Sequence, residues 1–235
     1  MTVESVVAAP NPYRRTLLRQ ERSVNTRRAL VRAAAQLWAE RGYNETTVED
    51  VCVAAGVGRS TYYLHFESKE QLLMEFAYAT ARGVAADVEA AVPRGSLDDE
   101  VTAFVHGLVP RMEATSRTVA VTVLRHVAMR SVTARESTSD QILFDDVLTR
   151  IVRDAQERGE VRAEVDAGDV GEVLSGTVLD ALQRWAGGNT ERTLRQSLEL
   201  RFDLVLAGIR TGGPRAGGVR LTPRARKRHA ARRGE

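Results

Sequence analysis

The chain has 235 residues, of which 43% are apolar, 5% aromatic and 28% charged, enough to bury a full core as one large domain or as a small one plus a medium one. Its one cysteine, Cys52, excludes an intrachain disulfide framework and points to a reducing compartment, and no apolar run approaches the length of a membrane span. A net charge of +3 conceals an uneven distribution of +3 over residues 1–69, −8 over 70–209 and +8 over 210–235, so two basic ends flank an acidic middle and suggest a polyanionic partner.

The first dozen residues, MTVESVVAAPNP, place an acid near the start and lack a charged segment ahead of an adequate apolar run. No secretory signal is expected, and the protein reads as cytoplasmic. Residues 1–22 read as a basic, flexible N-terminal arm. Beyond it, apolar residues recur at three-and-four spacing without sustained alternation, so the fold class is all-α with eight or nine helices. Leu30, Ala33, Ala34, Leu37 and Trp38 form one face of a helix from about Asn25 to Arg41, closed by Gly42, with Tyr43 placed for the accompanying apolar contact.

Thr46-Thr47-Val48-Glu49 has the T-x-x-E form of a capping box and opens a short second helix with Val48, Val51, Cys52 and Ala55 inside; Gly56 ends it. A third runs from about Arg59 to Leu64. Ser68 and Gln71 offer an S-x-x-Q box for a long fourth helix reaching about Ala91, ahead of Pro93. Ser96 with Asp98, Asp99 and Glu100 starts a helix to about Thr115, which Pro110 is expected to kink or divide. The remaining helices are expected at about Arg117–Val132, Asp140–Arg158, Asp169–Ala186 and Glu191–Ile209.

Short helix, glycine turn, short helix is the helix-turn-helix pattern. Across AAAQLWAERGYNETTVEDVCVAAGVGRSTYYLHFESKEQLL, the alanine-rich first helix, R-G-Y, T-T-V, A-G-V, T-x-Y-x-H-F and S-K-E-x-L occur in order, and Thr26 to Phe76 resembles the DNA-binding domain of the TetR family of transcriptional repressors. The resemblance implies a three-helix DNA-binding domain at 23–71 and a helical ligand-binding and dimerisation domain at 72–210; the basic tail at 211–235, with Gly, Pro and charge but almost no apolar content, reads as disordered. The resemblance also implies a ligand-responsive repressor that binds a palindromic operator as a homodimer and is released by a small molecule. No cofactor or metal is expected.

Arg59, Ser60 and Thr61 lie on the first turn of the third helix, which a helix-turn-helix protein presents to base edges. Arg59 can hold guanine O6 and N7 in a bidentate pair; a phosphate contact is the alternative. Thr61, Tyr63 and His65 match positions where the family touches the DNA backbone, and their polar groups can reach phosphate oxygens. Lys69 joins its own charge to a helix N-terminus, which favours a phosphate. Thr47 resembles the family's threonine at the second helix, where capping and a DNA contact compete for one hydroxyl. Tyr62 and Phe66 read as core. Gly58 stands where the family often has a capping serine, and Ser60 where it often has glycine. Cys52 reads as an inert buried thiol.

Phe76, Phe104, His106, Met112, His126, Met129, Phe144 and Trp185 are candidate pocket residues, picked as bulky or polar side chains on inward-looking stretches; plain core is the alternative for each. Without clustered positive charge in the middle, a lipophilic effector is preferred. The stripes Val173, Leu174, Val178, Leu179, Leu182, Trp185 and Leu194, Leu198, Phe202, Val205, Ile209 suit both an intrachain core and a four-helix dimer interface. The basic tail could add DNA affinity without sequence preference or serve only as a solubilising segment. The four histidines show no metal-ligand spacing and no phosphate loop follows a strand, so catalysis is not expected. The alternative function is a constitutive or architectural DNA-binding protein without a small-molecule switch.

Overall fold

In a computed structural model, the chain is described over residues 12–91, 95–133, 141–188 and 191–212. These residues form α1 (Pro12–Arg41), α2 (Val48–Ala55), α3 (Arg59–His65), α4 (Lys69–Ala91), α5 (Leu97–Glu113), α6 (Arg117–Thr133), α7 (Phe144–Glu157), α8 (Ala167–Ala186) and α9 (Leu194–Ala207). Among them there is no strand, only an isolated bridge from Val161 to Arg210. Among the described residues no helix is long and apolar enough to cross a membrane.

Local chemistry sets most helix ends. Gly42, at φ 87°, closes α1 through a bond from its N–H to the Trp38 carbonyl, and the Tyr43 ring packs 5.4 Å from Trp38. Gly56, at φ 68°, ends α2 in the left-handed region that only glycine enters freely, and the Val57 N–H reaches back to the Cys52 carbonyl. Capping boxes open α5 (Ser96 with Asp99) and α9 (Thr193 with Gln196), while Asp166 caps α8.

The structure corrects several expected boundaries. α1 starts at Pro12, so residues 12–22 are helix and not a flexible arm: this stretch lacks glycine, and proline is tolerated in a first turn. The α2 capping box is Thr47 with Asp50, not Thr46 with Glu49; Thr46 is fully buried, and its hydroxyl donates to the Gly42 carbonyl at 2.8 Å. Pro110 does not divide α5, because it sits in the last turn, where its missing N–H removes a single bond. α7 starts at Phe144, where the Asp146 carboxylate accepts the Leu143 N–H, rather than at Asp140. Thr211 is tied down: its N–H donates to the Glu160 carbonyl and its hydroxyl to the Gly159 carbonyl. The rest of the expected arm (1–11) and tail (213–235) lies outside the described residues.

Two main apolar cores and a smaller cluster of Met74, Ala77, Tyr78 and Val127 result among the described residues. The first gathers Leu30, Trp38, Val51, Tyr62, Phe66 and Leu72 from α1–α4, and Val119 of α6 enters it. The second gathers residues of α4, α5, α7, α8 and α9, including Phe104, Leu148, Leu174, Val178, Leu198 and Phe202. α7 and α8 touch so closely that a Cβ added at Gly171 would lie 2.0 Å from the Thr149 hydroxyl. The expected dimer stripes are therefore largely intrachain core, and the large apolar side chains that α8 and α9 leave exposed are Val173, Leu200 and Leu204. α4 runs through both cores, and with α6 it joins the two halves.

Candidate nucleic-acid interface and effector cavity

α3 divides its side chains between two surfaces. Tyr62 is fully buried, its hydroxyl donating to the Ser68 carbonyl at 3.0 Å, and Phe66 packs beside it with ring centroids 5.8 Å apart. Arg59, Ser60 and Tyr63 are exposed, and Thr61 and His65 are half-buried. The Arg59 guanidinium donates to Glu49 of α2 at 3.2 Å, and its bond to the Tyr63 hydroxyl, together with Glu49, raises its pKa further. Both partners of the Arg59–Glu49 pair are about 60% exposed, so an incoming guanine edge or phosphate competes with it at little expense. Burial, with Arg27 nearby, lowers the His65 pKa, which favours the neutral imidazole.

Thr47 and Lys69 are engaged within the protein. The Thr47 hydroxyl accepts the Asp50 N–H, and the Thr47 backbone N–H (2.8 Å) and hydroxyl (2.7 Å) both donate to Asp50 Oδ2, the backbone bond first among the causes that hold the Asp50 carboxyl below its ordinary pKa. Lys69 Nζ donates to the carbonyls of Tyr43 (2.7 Å) and Thr46 (2.8 Å) and sits 4.2 Å from the Tyr43 ring centre. It clasps the α1–α2 turn to the start of α4. The spacing of α4 from that turn is a tertiary fact, and the sequence carries no signal for it. Cys52 is buried and free, and burial raises its pKa, as an inert thiol requires.

Arg27 was not among the residues singled out from sequence. It donates to the His65 carbonyl at 3.2 Å and to Glu75 at 2.6 Å and covers the Phe66 ring at 4.6 Å, while Arg82 bonds the other Glu75 oxygen at 2.6 Å. Burial raises the Glu75 carboxyl, but the two guanidinium bonds outweigh it and leave its pKa below the ordinary value. One buried carboxylate thus ties the end of α3 to α1 and α4.

A cavity of about 730 Å³ lies between α4, α6, α7 and α8. Its wall includes Phe76, Met112, Val123, Leu124, Phe144 and Leu179, with Asp145, Asp146 and Glu172 among its polar groups and no lysine or arginine among the described residues. Burial, reinforced by Asp146, raises the Asp145 carboxyl. Of the eight candidate pocket residues, Phe76, Met112 and Phe144 line this cavity. Phe104 lies one layer behind, fully buried against Phe144 and Phe202. His106 is exposed on α5, and Met129 is 68% exposed. His126 faces Tyr43 at 6.0 Å, with Nδ1 on the Thr122 carbonyl, and Trp185 is half-buried with Arg117 over its ring. Phe104 and His106 sit on α5, which reaches the cavity only through Met112, whereas His126, Met129 and Trp185 sit on cavity helices but on other faces; the rotation of each helix is set by packing. The space is created by the small residues Thr80, Ala81, Ala120, Ser175 and Gly176, which carry no bulk to mark them in the sequence.

The family described as "Bacterial regulatory proteins, tetR family" matches residues 30–76, from the first buried leucine of α1 to Phe76 in the cavity wall. The transcriptional repressor DhaR of Mycobacterium sp. (strain GP1) is 40% identical over 72 residues, which cover 28% of this chain and 36% of that protein, so the chain spans only about a third of this relative. The repressor BepR of Brucella suis is 25% identical over 80% of this chain and 88% of its own length. The crystal structure of Thermus thermophilus FadR, a TetR-family transcriptional repressor in complex with lauroyl-CoA, superposes with a TM-score of 0.62 at 24% identity over 82% of this chain and all of that one, which shows a shared fold. Residues 30–76 thus match the TetR family of bacterial regulatory proteins, and the chain as a whole shares its fold with a TetR-family structure.

Proposed function

We propose that the protein is a repressor that binds a palindromic operator as a homodimer and releases it when a small, largely lipophilic molecule fills the cavity. One observation carries the switch. Phe76 and Val123 line the cavity and at the same time pack against the core of the DNA-reading domain, where Phe76 meets Trp38 edge-on at 6.3 Å. A ligand that displaces either side chain acts on the seat of α1–α3 directly, with no intervening layer. Arg59, Ser60 and Thr61 read bases, and Tyr63 and His65 hold phosphates. Thr47 and Lys69 contribute chiefly by shaping the domain, because their polar groups already have partners.

The exposed apolar residues Val173, Leu200 and Leu204 supply the contact for a second copy. A two-fold dimer presents its recognition helices to half-sites about 34–36 Å apart, one helical turn. A ligand that prefers another separation needs about 5.5 kcal/mol of differential binding to move a 1:99 equilibrium to 99:1. The apolar wall suits a lipophilic body, in keeping with the acyl group carried by the FadR complex, while Asp145 favours an end that donates hydrogen bonds.

Gly176 provides the test. It lines the cavity on α8, and an added Cβ there meets nothing within 4 Å, so the side chain of Gly176→Leu starts into ligand space unopposed. Compounds that raise the thermal midpoint of the wild type should dissociate it from its selected operator, and Gly176→Leu should bind the same DNA while responding to none of them. Equal ligand-induced release of both proteins would place the effector elsewhere.

A further inference from the structure

We propose that the projecting N-terminal segment of α1, residues 16–25, is a second DNA-contacting element, a preformed helical rail whose Arg19 and Arg22 hold phosphates beside the groove that α3 enters. The inference rests on the DNA-binding reading above and adds to it a surface outside the helix-turn-helix.

Every residue from 16 to 25 is exposed, and burial begins only at Thr26, Arg27 and Leu30. Helical periodicity of about 100° per residue gives the sides of this segment different characters. Leu17, Glu21, Val24 and Arg28 share the outer side. Arg19 is in line with Leu37 and within about 20° of Leu30, and Arg22 lies within about 20° of Ala33. Leu30 and Leu37 belong to the DNA-reading core and Ala33 packs against it, so Arg19 continues the face that α1 turns to this core and Arg22 lies at that face's edge, about 80° and 140° around the helix from Arg27.

Arg27 fixes where this rail passes. Its guanidinium holds the His65 carbonyl at the C-terminal end of α3. At about 1.5 Å per residue, Arg22 lies about 7.5 Å and Arg19 about 12 Å beyond that anchor along α1. The major groove is about 12 Å wide, so a projection of this length past the α3 anchor is comparable with the distance from a helix in the groove to the phosphates that flank it. The charge is complementary: between residues 14 and 28 the sequence has six arginines and one acid, Glu21. A protein partner bound through Leu17 and Val24 would use the outer side and leave the arginine side unexplained.

Phosphate contacts carry no sequence information, so a random-sequence duplex of about 40 base pairs is a sufficient probe. Binding of the full-length wild type, Arg19→Gln/Arg22→Gln and Arg19→Lys/Arg22→Lys is titrated from 50 to 200 mM salt, with circular dichroism to compare helix content. Two phosphates lost should lower the log–log salt slope of the glutamine variant by about 1.8 per protomer, and the lysine variant should keep the wild-type slope. An unchanged slope in the glutamine variant overturns the proposal. So does an equal loss in the lysine variant, which would mark a structural role, or a shift of the glutamine variant from dimer to monomer with its slope intact, which would assign the rail to a second copy. A wild type that binds no duplex would sink the repressor reading along with this one; a wild type that binds while both variants keep its slope sinks this one alone.

Discussion

Replacing Lys69 by methionine separates two roles that sequence alone treats as one. Methionine keeps the apolar stem and removes the ammonium, and with it two bonds to the Tyr43 and Thr46 carbonyls and the contact with the Tyr43 ring. A hydrogen bond to a charged group contributes about 1.5–3 kcal/mol, and a cation over an aromatic face adds about 0.5–1 kcal/mol. Burial lowers the Lys69 pKa, and that desolvation, relieved in the variant, offsets part of the loss. A net destabilisation of about 2 kcal/mol follows, which in a chain of this size lowers the melting temperature by about 4–8 °C. Thermal denaturation without DNA measures it, and the salt dependence of DNA binding is measured in parallel, where the account expects little change of slope. A variant that melts with the wild type but loses about one unit of slope would show that Lys69 is a phosphate ligand and not a clasp.

Glu75→Gln removes the charge that Arg27 and Arg82 share. Because the folded pKa of Glu75 lies below its ordinary 4.5, its stabilisation is fully present above pH 4.5 and fades as pH falls through the folded value. Urea denaturation should therefore show the variant less stable than wild type by about 2 kcal/mol at pH 7, with the gap narrowing toward pH 3.5; a constant gap would refute the pairing. Gly171→Ala puts a methyl 2.0 Å from the Thr149 hydroxyl and 2.9 Å from its Cα and N, so it should cost about 1–3 kcal/mol, and adding Thr149→Ala should not restore stability because the backbone still intrudes. Gly176→Ala, in open space on the next helical turns, should instead stabilise by up to about 1 kcal/mol.

What was legible in the sequence follows local physics. Gly42, Gly56, Ser96 and the T-T-V-E-D run each act within a few residues, so helix ends and the helix-turn-helix could be read directly, although Thr46 and Thr47 exchanged roles. Both threonines could cap, and only the burial of Thr46 against the Gly42 carbonyl decides between them. Tyr62 and Phe66 were legible as core because their spacing repeats on one face of α3.

What stayed hidden depends on partners far along the chain. Arg27 bonds groups 38 and 48 residues away, and Lys69 bonds carbonyls 26 and 23 residues away. The cavity was only partly visible for a related reason. Phe76, Met112 and Phe144 are bulky and line it, but its volume comes from Ala81, Ala120 and Gly176, whose small side chains leave no signal until the helices are assembled. Phe104 shows the converse: a large aromatic that fills space instead of framing it.

The central claim is that α3 reads a two-fold symmetric site. Selection of bound sequences from a random DNA pool by the full-length chain tests it most directly, with Arg59→Ala selected alongside. The account predicts a palindrome with half-sites about one helical turn apart, and in the variant a relaxed preference at one position of each half-site, by about 1–3 kcal/mol of discrimination. Enrichment of no palindrome, or of the same palindrome with undiminished preference when Arg59 is alanine, would contradict it.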